Sequence, residues 1–167
     1  FSYTMWTNGL SSPLGKDYLW NIYSDEQAKE DISRVRDQVD VVMVAMHWGT
    51  EYSNGVSDEQ RETAAYLSSL GVDIIIGSHP HVIEPIEMID DTLVIYSLGN
   101  FISAQETTNQ LTGLMASVTV KKVTENEKVM ISLENVTAEL VYTYYRPGSV
   151  TGFKVYPYKA LTDSILP

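Results

Sequence analysis

The sequence predicts an α/β fold in which two α-to-β units are followed by a mainly antiparallel β meander. Three observations support this fold class. Two helix-start motifs each precede apolar residues at helical spacing, each predicted helix leads into a run of Val, Ile and Met, and the C-terminal third alternates apolar and polar residues. The 167 residues, 44% of them hydrophobic, are enough for one domain with a sizeable core.

The first α-to-β unit follows a strand-like stretch at Phe1–Trp6. Ser24-Asp25-Glu26-Gln27 has the form of a capping box, and the apolar positions after it predict a helix from Ser24 to Gln38. Asp40 to Met46 is then an apolar run rich in Val. Such a run predicts a strand that is covered on both faces.

The second α-to-β unit repeats this pattern. Ser57-Asp58-Glu59-Gln60 is again a capping motif, and Gly71 is well placed to end the helix in a left-handed conformation. Val72 to Ile76 is the next predicted strand, parallel to the first. Two consecutive units of this kind are typical of α/β proteins.

The rest of the chain is predicted to be β structure. Glu84–Ile89 and Thr92–Tyr96 form a predicted antiparallel hairpin around an Asp90-Asp91 turn, followed by a loop over 97–100. Alternation and β-branched residues predict three more strands and a turn: Gly113–Lys122, Lys128–Tyr145 and Thr151–Tyr158, with the turn at Thr124–Glu127. The tyrosine patch at 142–145 is interpreted as strand packing rather than as a stacking platform.

Charge and composition restrict the partners. The chain has 11 Lys and Arg and 22 Asp and Glu. The resulting net charge of −11 argues against a nucleic-acid partner, because the phosphates of nucleic acids are bound by basic residues. An anionic substrate is repelled too unless bound cations reverse the local field. The absence of Cys removes thiolate chemistry and agrees with an extracellular bacterial protein. No apolar run approaches the roughly 18 residues of a membrane span.

All three histidines follow predicted strands. His47 lies just past the first strand, and His79-Pro80-His81 lies just past the second. Because ligands gather at the carboxyl ends of strands in α/β sheets, the three imidazoles are predicted to bind divalent metal ions, either Mn, Zn or Fe. The alternative is structural: a satisfied strand-end residue for His47, and partly exposed loop residues for His79 and His81.

Two further residues are candidates for catalytic roles at this site. Glu51 follows His47 by four residues and shares a face with it if the loop is helical, so its carboxylate could orient the imidazole; the alternative is a solvated loop acid. Asn100 is either a neutral oxygen donor near the site or a turn residue that caps its own backbone. Trp48 and Gly49 are expected to shape the loop, with Gly49 permitting a close backbone approach.

Three ordered blocks carry a family resemblance: DVVMVAMHWGTE at 40–51, GVDIIIGSHPH at 71–81 and LVIYSLGNF at 93–101. Together with YTMWTNG at 3–9, they resemble the bacterial CapA family of poly-γ-glutamate capsule biosynthesis proteins over roughly residues 1–110. That family is similar in fold to the calcineurin-like metallophosphoesterases. The resemblance therefore implies a four-layer αββα sandwich with two metals at the strand ends.

The resemblance also implies roles for the histidines. His47 and His79 would share one metal and His81 would reach the other, so that the two ions bind a phosphoester and activate a water. Family members place further ligands, an early Asp, a bridging acid and an Asn-His block, upstream of the region that resembles Phe1–Asn8. We therefore expect residues 1–167 to be one incomplete domain, the C-terminal half of a CapA-like domain, with weak or absent metal binding and catalysis on its own.

Three functional hypotheses follow. The first is assembly of an anionic polymer such as poly-γ-glutamate at the extracellular face of a bacterial membrane, with the anchor outside this chain. The second is metal-dependent phosphoester hydrolysis by the intact protein. The third is a non-catalytic binding or scaffold module that keeps the shape of a site. An uncovered sheet edge and face are expected to pair with the missing N-terminal half or with a second copy.

Overall fold

The computed structural model describes residues 1–126, 128–146, 148 and 151–163, and these form two compact units. The first unit combines residues 1–80 with 84–97. The second combines residues 81–83 with the described residues from Leu98 onward. The mixed α/β class, with α-to-β units first and antiparallel strands afterwards, is confirmed.

A five-stranded sheet organises the first unit. Its strands are β1 (Ser2–Thr4), β2 (Met43–His47), β3 (Ile74–Ser78), β4 (Ile86–Ile89) and β5 (Thr92–Ile95). The spatial order is β1-β2-β3-β5-β4, with parallel pairs except between β4 and β5. The predicted hairpin is confirmed, and its second strand lies between β3 and β4, in the interior of the sheet.

Two helices connect these strands, and their predicted ends are largely confirmed. Helix α1 (Asp25–Val35) begins after Ser24, whose side chain accepts a hydrogen bond from the Gln27 backbone N–H, and its predicted last turn is a 3-10 turn. Helix α2 (Asp58–Ser69) has the complete capping box with Ser57 and Gln60. Gly71 follows its end with φ +86°, the left-handed conformation predicted for it.

The strand predicted from Asp40 to Met46 is shorter and is covered on one face, so the prediction of two covered faces is wrong. Val44 and Met46 are buried in a core cluster that includes Ile32 of α1 and Leu67 of α2. Met43, on the opposite face, is 46% exposed. The helices therefore cover one face of β2, and the Val-rich composition of the strand does not reveal which face that is.

The second unit contains a three-stranded antiparallel sheet, as the meander prediction requires. Its strands are β6 (Thr112–Glu125), β7 (Lys128–Tyr144) and β8 (Lys154–Pro157), in that order. A short helix, α3 (Thr108–Leu111), precedes β6 and was not predicted. The turn predicted at 124–127 is shorter in the structure, because β6 continues to Glu125 and Asn126 is the next turn residue. Glu127 lies outside the described residues.

The tyrosine patch packs within this second unit. Tyr142 is buried, and the ring of Tyr145 stacks on Phe153 with 4.9 Å between ring centroids. Both contacts agree with the strand-packing interpretation. Among the helices that the described residues form, none has the length and apolar character required to cross a bilayer.

Candidate functional site

His47 and His79 meet at the carboxyl ends of two neighbouring parallel strands. His47 is the last residue of β2 and pairs in register with Ser78, the last residue of β3, so that His79 is the first residue beyond the sheet. The two ring centroids are 4.4 Å apart. The predicted convergence of these two imidazoles is therefore found in the structure, while their role as metal ligands remains a prediction.

The orientation of His47 is set by Thr4 at the end of β1. The Thr4 hydroxyl lies 3.0 Å from His47 Nδ1 and donates its one proton to the backbone oxygen of Trp6. The hydroxyl must therefore accept a hydrogen bond from Nδ1–H. In the neutral imidazole, this tautomer places the basic lone pair on Nε2, which is the form in which histidine binds metals through Nε2.

His79 lies in a constrained turn. Its backbone has φ +102°, which is uncommon for any residue other than glycine. The next residue, Pro80, accepts a hydrogen bond of 2.7 Å from the Tyr52 backbone N–H, and the Trp6 ring meets the His79 ring edge-on at 5.4 Å. The turn is thus held from two sides, and backbone conformations of this kind cluster at functional sites.

His81 belongs to the second unit, where it pairs with Asn100. Asn100 Oδ1 lies 3.0 Å from His81 Nδ1, and Asn100 Nδ2 donates to the backbone oxygens of His81 and Gln110. These two donor bonds identify Nδ2, so Oδ1 can only accept, and His81 Nδ1 carries the proton. These bonds do not cap the backbone of Asn100 itself, which was one of the two alternatives. They position His81 instead.

Glu51 does not share a helical face with His47. The intervening loop is not helical: Gly49 has φ +84°, and Glu51 lies exposed in a turn. The sequence spacing of four residues therefore brings no contact by itself. A role for this carboxylate at the site remains a prediction, and the helical geometry on which it was based is wrong.

Trp48 belongs to the core rather than to the loop surface. The side chain is fully buried, stacks on Tyr96 and donates a 2.9 Å hydrogen bond from Nε1 to the Tyr96 backbone oxygen. Gly77 of β3 makes room for this bond, because a Cβ there would lie 1.8 Å from that oxygen. The glycine that leads the histidine turn is therefore required by packing beneath it.

A buried carboxyl group lies behind the loop that follows His47. Glu84 is 2% exposed, and its Oε2 accepts a 2.7 Å hydrogen bond from Nε2 of the fully buried Gln60. Burial raises the pKa of the Glu84 carboxyl, although the bond from Gln60 opposes the rise. Glu84 Oε1 is buried with no hydrogen-bond partner among the described residues. Gly49 packs against Gln60, since a Cβ on Gly49 would approach Gln60 Nε2 to 2.7 Å.

Sequence reasoning missed this pair and also missed Thr4. The sequence places Glu84 in the first strand of the hairpin, although β4 begins only at Ile86, and it places Gln60 in a capping box, which is confirmed. Each of the three acts through a partner that is 24 or 43 residues away. No local pattern signals such a contact.

The described residues do not form a complete metal site. Nowhere among them do three His, Cys, Asp or Glu side chains lie together in a way that could hold an ion. His47 and His79 supply two neutral nitrogen donors, whereas a zinc site takes four ligands, at least three of them from protein in most cases. The pair fits part of a donor set and not all of it.

The comparisons with known proteins agree on one family. The family model for PGA_cap, described as a bacterial capsule synthesis protein, matches residues 4–105. The chain is 44% identical over 91 residues to the PGA biosynthesis protein CapA of Bacillus subtilis (strain 168), a match that covers 54% of this chain and 24% of the relative. It is 39% identical over 80 residues to the capsule biosynthesis protein CapA of Bacillus anthracis, covering 46% of this chain and 20% of the relative.

The chain thus spans between a fifth and a quarter of the length of the curated relatives that it matches. The family model covers more than half of the chain and includes five candidate site residues: His47, Glu51, His79, His81 and Asn100. These matches confirm the resemblance predicted from the three sequence blocks. The chain is therefore a member of the PGA_cap family of bacterial capsule synthesis proteins.

Proposed function

We propose that this chain serves the biosynthesis of an anionic capsule polymer of the poly-γ-glutamate type. Both curated relatives are named for capsule or PGA biosynthesis, and the family match extends over the strand ends that carry His47 and His79. The observation on which the proposal rests most is the imidazole pair at 4.4 Å, held by strands that are adjacent in the sheet.

In this proposal, His47 and His79 are two ligands of one divalent ion, Mn, Zn or Fe, and His81 is a ligand of a second ion. Hydrogen bonds from Nδ1 to Thr4 and to Asn100 support this for His47 and His81, because each leaves Nε2 as the basic nitrogen. The remaining ligands would come from outside this chain. The chain alone is then expected to bind metal weakly.

A completed pair of ions would polarise a phosphoester and lower the pKa of a bound water. The residues of this chain have separate tasks in that arrangement. Thr4 keeps His47 in one tautomer, Asn100 does the same for His81, and the exposed carboxylate of Glu51 is available to exchange protons with solvent near the histidine loop.

A non-catalytic binding or scaffold module is the second candidate. The observation in its favour is the incomplete donor set of the described residues. In this alternative, the strand-end loops keep the shape of a site and hold the anionic polymer without cutting a bond.

We further propose that the protein acts at the extracellular face of a bacterial membrane. A partner, either a segment outside this chain or a second copy, would cover the face of the sheet that carries Met43. The half-exposed Met43 of β2 supports such a partner, because apolar side chains on an uncovered sheet face favour association.

The metal proposal is tested by ¹⁵N NMR of the imidazoles during titration with Zn²⁺. We expect the His47 and His79 resonances to move together at one ion per chain. The His79→Ala variant should lower the affinity by at least about tenfold. Glu62→Gln, which removes an exposed carboxylate from α2, is the matched control and should leave the affinity unchanged.

Independent movement of the two histidines, or full affinity in His79→Ala, would contradict the metal proposal. Hydrolysis and scaffolding are then separated by two assays on the protein: turnover of bis-p-nitrophenyl phosphate with Mn²⁺, and retention of poly-γ-glutamate in EDTA. Turnover that disappears in His79→Ala supports the hydrolase. Retention in EDTA without turnover supports the scaffold.

A further inference from the structure

A cavity of about 560 Å³ lies in the first unit, at the carboxyl end of β1. The chain leaves β1 after Thr4 and returns beside it at residues 21–23, where Thr4 N donates to Asn21 O and Tyr23 N donates to Thr4 O. The excursion between these points supplies most of the cavity wall. Its volume lies within the range of roughly 300–1,000 Å³ that is typical of small-molecule sites.

The wall of the cavity combines apolar and neutral polar side chains. The apolar part includes Trp6, Leu10, Leu19 and Trp20, and the polar part includes Asn8 and Asn21. No Asp, Glu, Lys or Arg is among the described residues that line it, although the chain carries a net charge of −11. A polyanion finds no cationic partner here, whereas the amides of Asn8 and Asn21 offer hydrogen-bonding groups that a purely apolar ligand would not use.

The cavity reaches one member of the histidine pair. His47 is one of its lining residues, and Trp6, which also lines it, meets the His79 ring edge-on at 5.4 Å. A ligand in the cavity therefore lies beside the candidate reaction centre. Loops at strand ends are where α/β proteins hold small ligands.

We propose that this cavity is a binding site for a neutral sugar ring. A pyranose has C–H faces that pack on indole and leucine surfaces, and hydroxyls or an acetamido group that exchange hydrogen bonds with amide side chains. Both kinds of partner are present in the wall, and charged groups, which a neutral sugar does not require, are absent from it. The proposal does not depend on metal binding.

Trp20 supplies a second observation. Its indole Nε1 is buried and has no hydrogen-bond partner among the described residues. Buried donors in native proteins are nearly always bonded to protein, water or ligand. Because Trp20 also lines the cavity, a ligand oxygen there is the partner that we assign to this donor.

The test uses chitotriose, a neutral trimer of N-acetylglucosamine, with the chain kept in EDTA so that metal cannot contribute. The chain has three tryptophans, and the buried Trp48 is not among the cavity residues. We expect the indole N–H signals of Trp6 and Trp20 to shift on titration while that of Trp48 stays in place, with a dissociation constant of about 1 mM or lower.

Two variants remove single groups. Trp20→Phe keeps an aromatic ring and removes the N–H, and Asn8→Gly removes the amide while tolerating the backbone φ of +50° at that position. Each should weaken binding by about five- to tenfold, as expected for one hydrogen bond. Leu14→Ala, on the same excursion but fully exposed and outside the cavity lining, is the control and should bind as the wild type does.

The proposal is overturned if none of the indole signals moves up to about 10 mM sugar, or if Trp48 moves as much as Trp6 and Trp20. Tighter binding of tri-γ-glutamate than of chitotriose in EDTA would overturn the ligand class. None of these results bears on the histidine pair, so failure of the sugar site and failure of the metal proposal remain distinguishable.

Discussion

Gly77→Ala is expected to be strongly destabilising, because the position of the new methyl group is already occupied. A Cβ at Gly77 would lie 1.8 Å from the Tyr96 backbone oxygen and 2.4 Å from Trp48 Nε1. These two atoms form a buried hydrogen bond of 2.9 Å. The methyl group would therefore separate a donor from its acceptor at the base of the histidine turn.

The magnitude follows from two losses. Overpacking of a close-packed core costs about 1–3 kcal/mol, and leaving a buried donor without its acceptor costs about 1–3 kcal/mol more. A loss of about 2–6 kcal/mol is a large part of a typical unfolding free energy of about 5–15 kcal/mol. We expect Gly77→Ala to be partly or wholly unfolded near 37 °C.

The assay is urea unfolding followed by circular dichroism and tryptophan fluorescence. Gly55→Ala is the matched control: the nearest non-neighbouring atom to a Cβ there is Ser53 Oγ at 3.6 Å, an ordinary contact, and the change should stay within about 0.5 kcal/mol. In a Trp48→Phe background the hydrogen bond is already absent, so Gly77→Ala should cost less. A loss below about 1 kcal/mol in the wild-type background would refute the packing argument.

Three further predictions concern the hydrogen bonds around the histidine loop. Because burial raises the pKa of Glu84, wild-type stability should fall as pH rises from the ordinary carboxyl value of 4.5 through the higher native pKa. Glu84→Gln has no carboxyl group at this position, so the urea midpoint of the variant relative to that of the wild type should rise as the pH increases from about 4 to about 8. A difference between the two midpoints that does not change with pH would contradict the expected loss of wild-type stability. Thr4→Val removes the acceptor for Nδ1–H of His47; ¹⁵N spectra should show a mixture of tautomers, and a persistent single Nδ1–H form would exclude the assigned role of Thr4. Gly49→Ala should cost about 1–3 kcal/mol in urea unfolding, because its Cβ would meet Gln60 Nε2 at 2.7 Å and φ is +84°; wild-type stability would show that the loop adapts freely.

Local patterns predicted the elements of this fold well. The two serine caps, the glycine after α2 and the Val- and Ile-rich strands are read over a few neighbouring residues, and the structure confirms them within a few positions. The histidine pair was also predictable, because His47 ends β2, His79 directly follows β3, and neighbouring parallel strands end at one edge of a sheet.

The errors have a common cause. The strand at Met43–His47 contains apolar residues on both faces, so its composition does not state which face the helices cover. The spacing between His47 and Glu51 suggested one helical face, but the left-handed Gly49 interrupts that geometry. In each case a local sequence pattern was used to predict a tertiary contact, and tertiary contacts depend on the neighbouring elements.

The sequence by itself determined the element types, the two histidine-bearing strand ends and the family to which the chain belongs. Only the tertiary structure decided what surrounds the histidines: Thr4 on His47, Asn100 on His81, the Gln60–Glu84 pair behind the loop and the neutral cavity beside it. The physical reason is range. Helix caps and strand patterns arise from hydrogen bonds and burial over a few residues, whereas tautomers, buried carboxyl groups and cavities depend on partners brought together from distant parts of the chain.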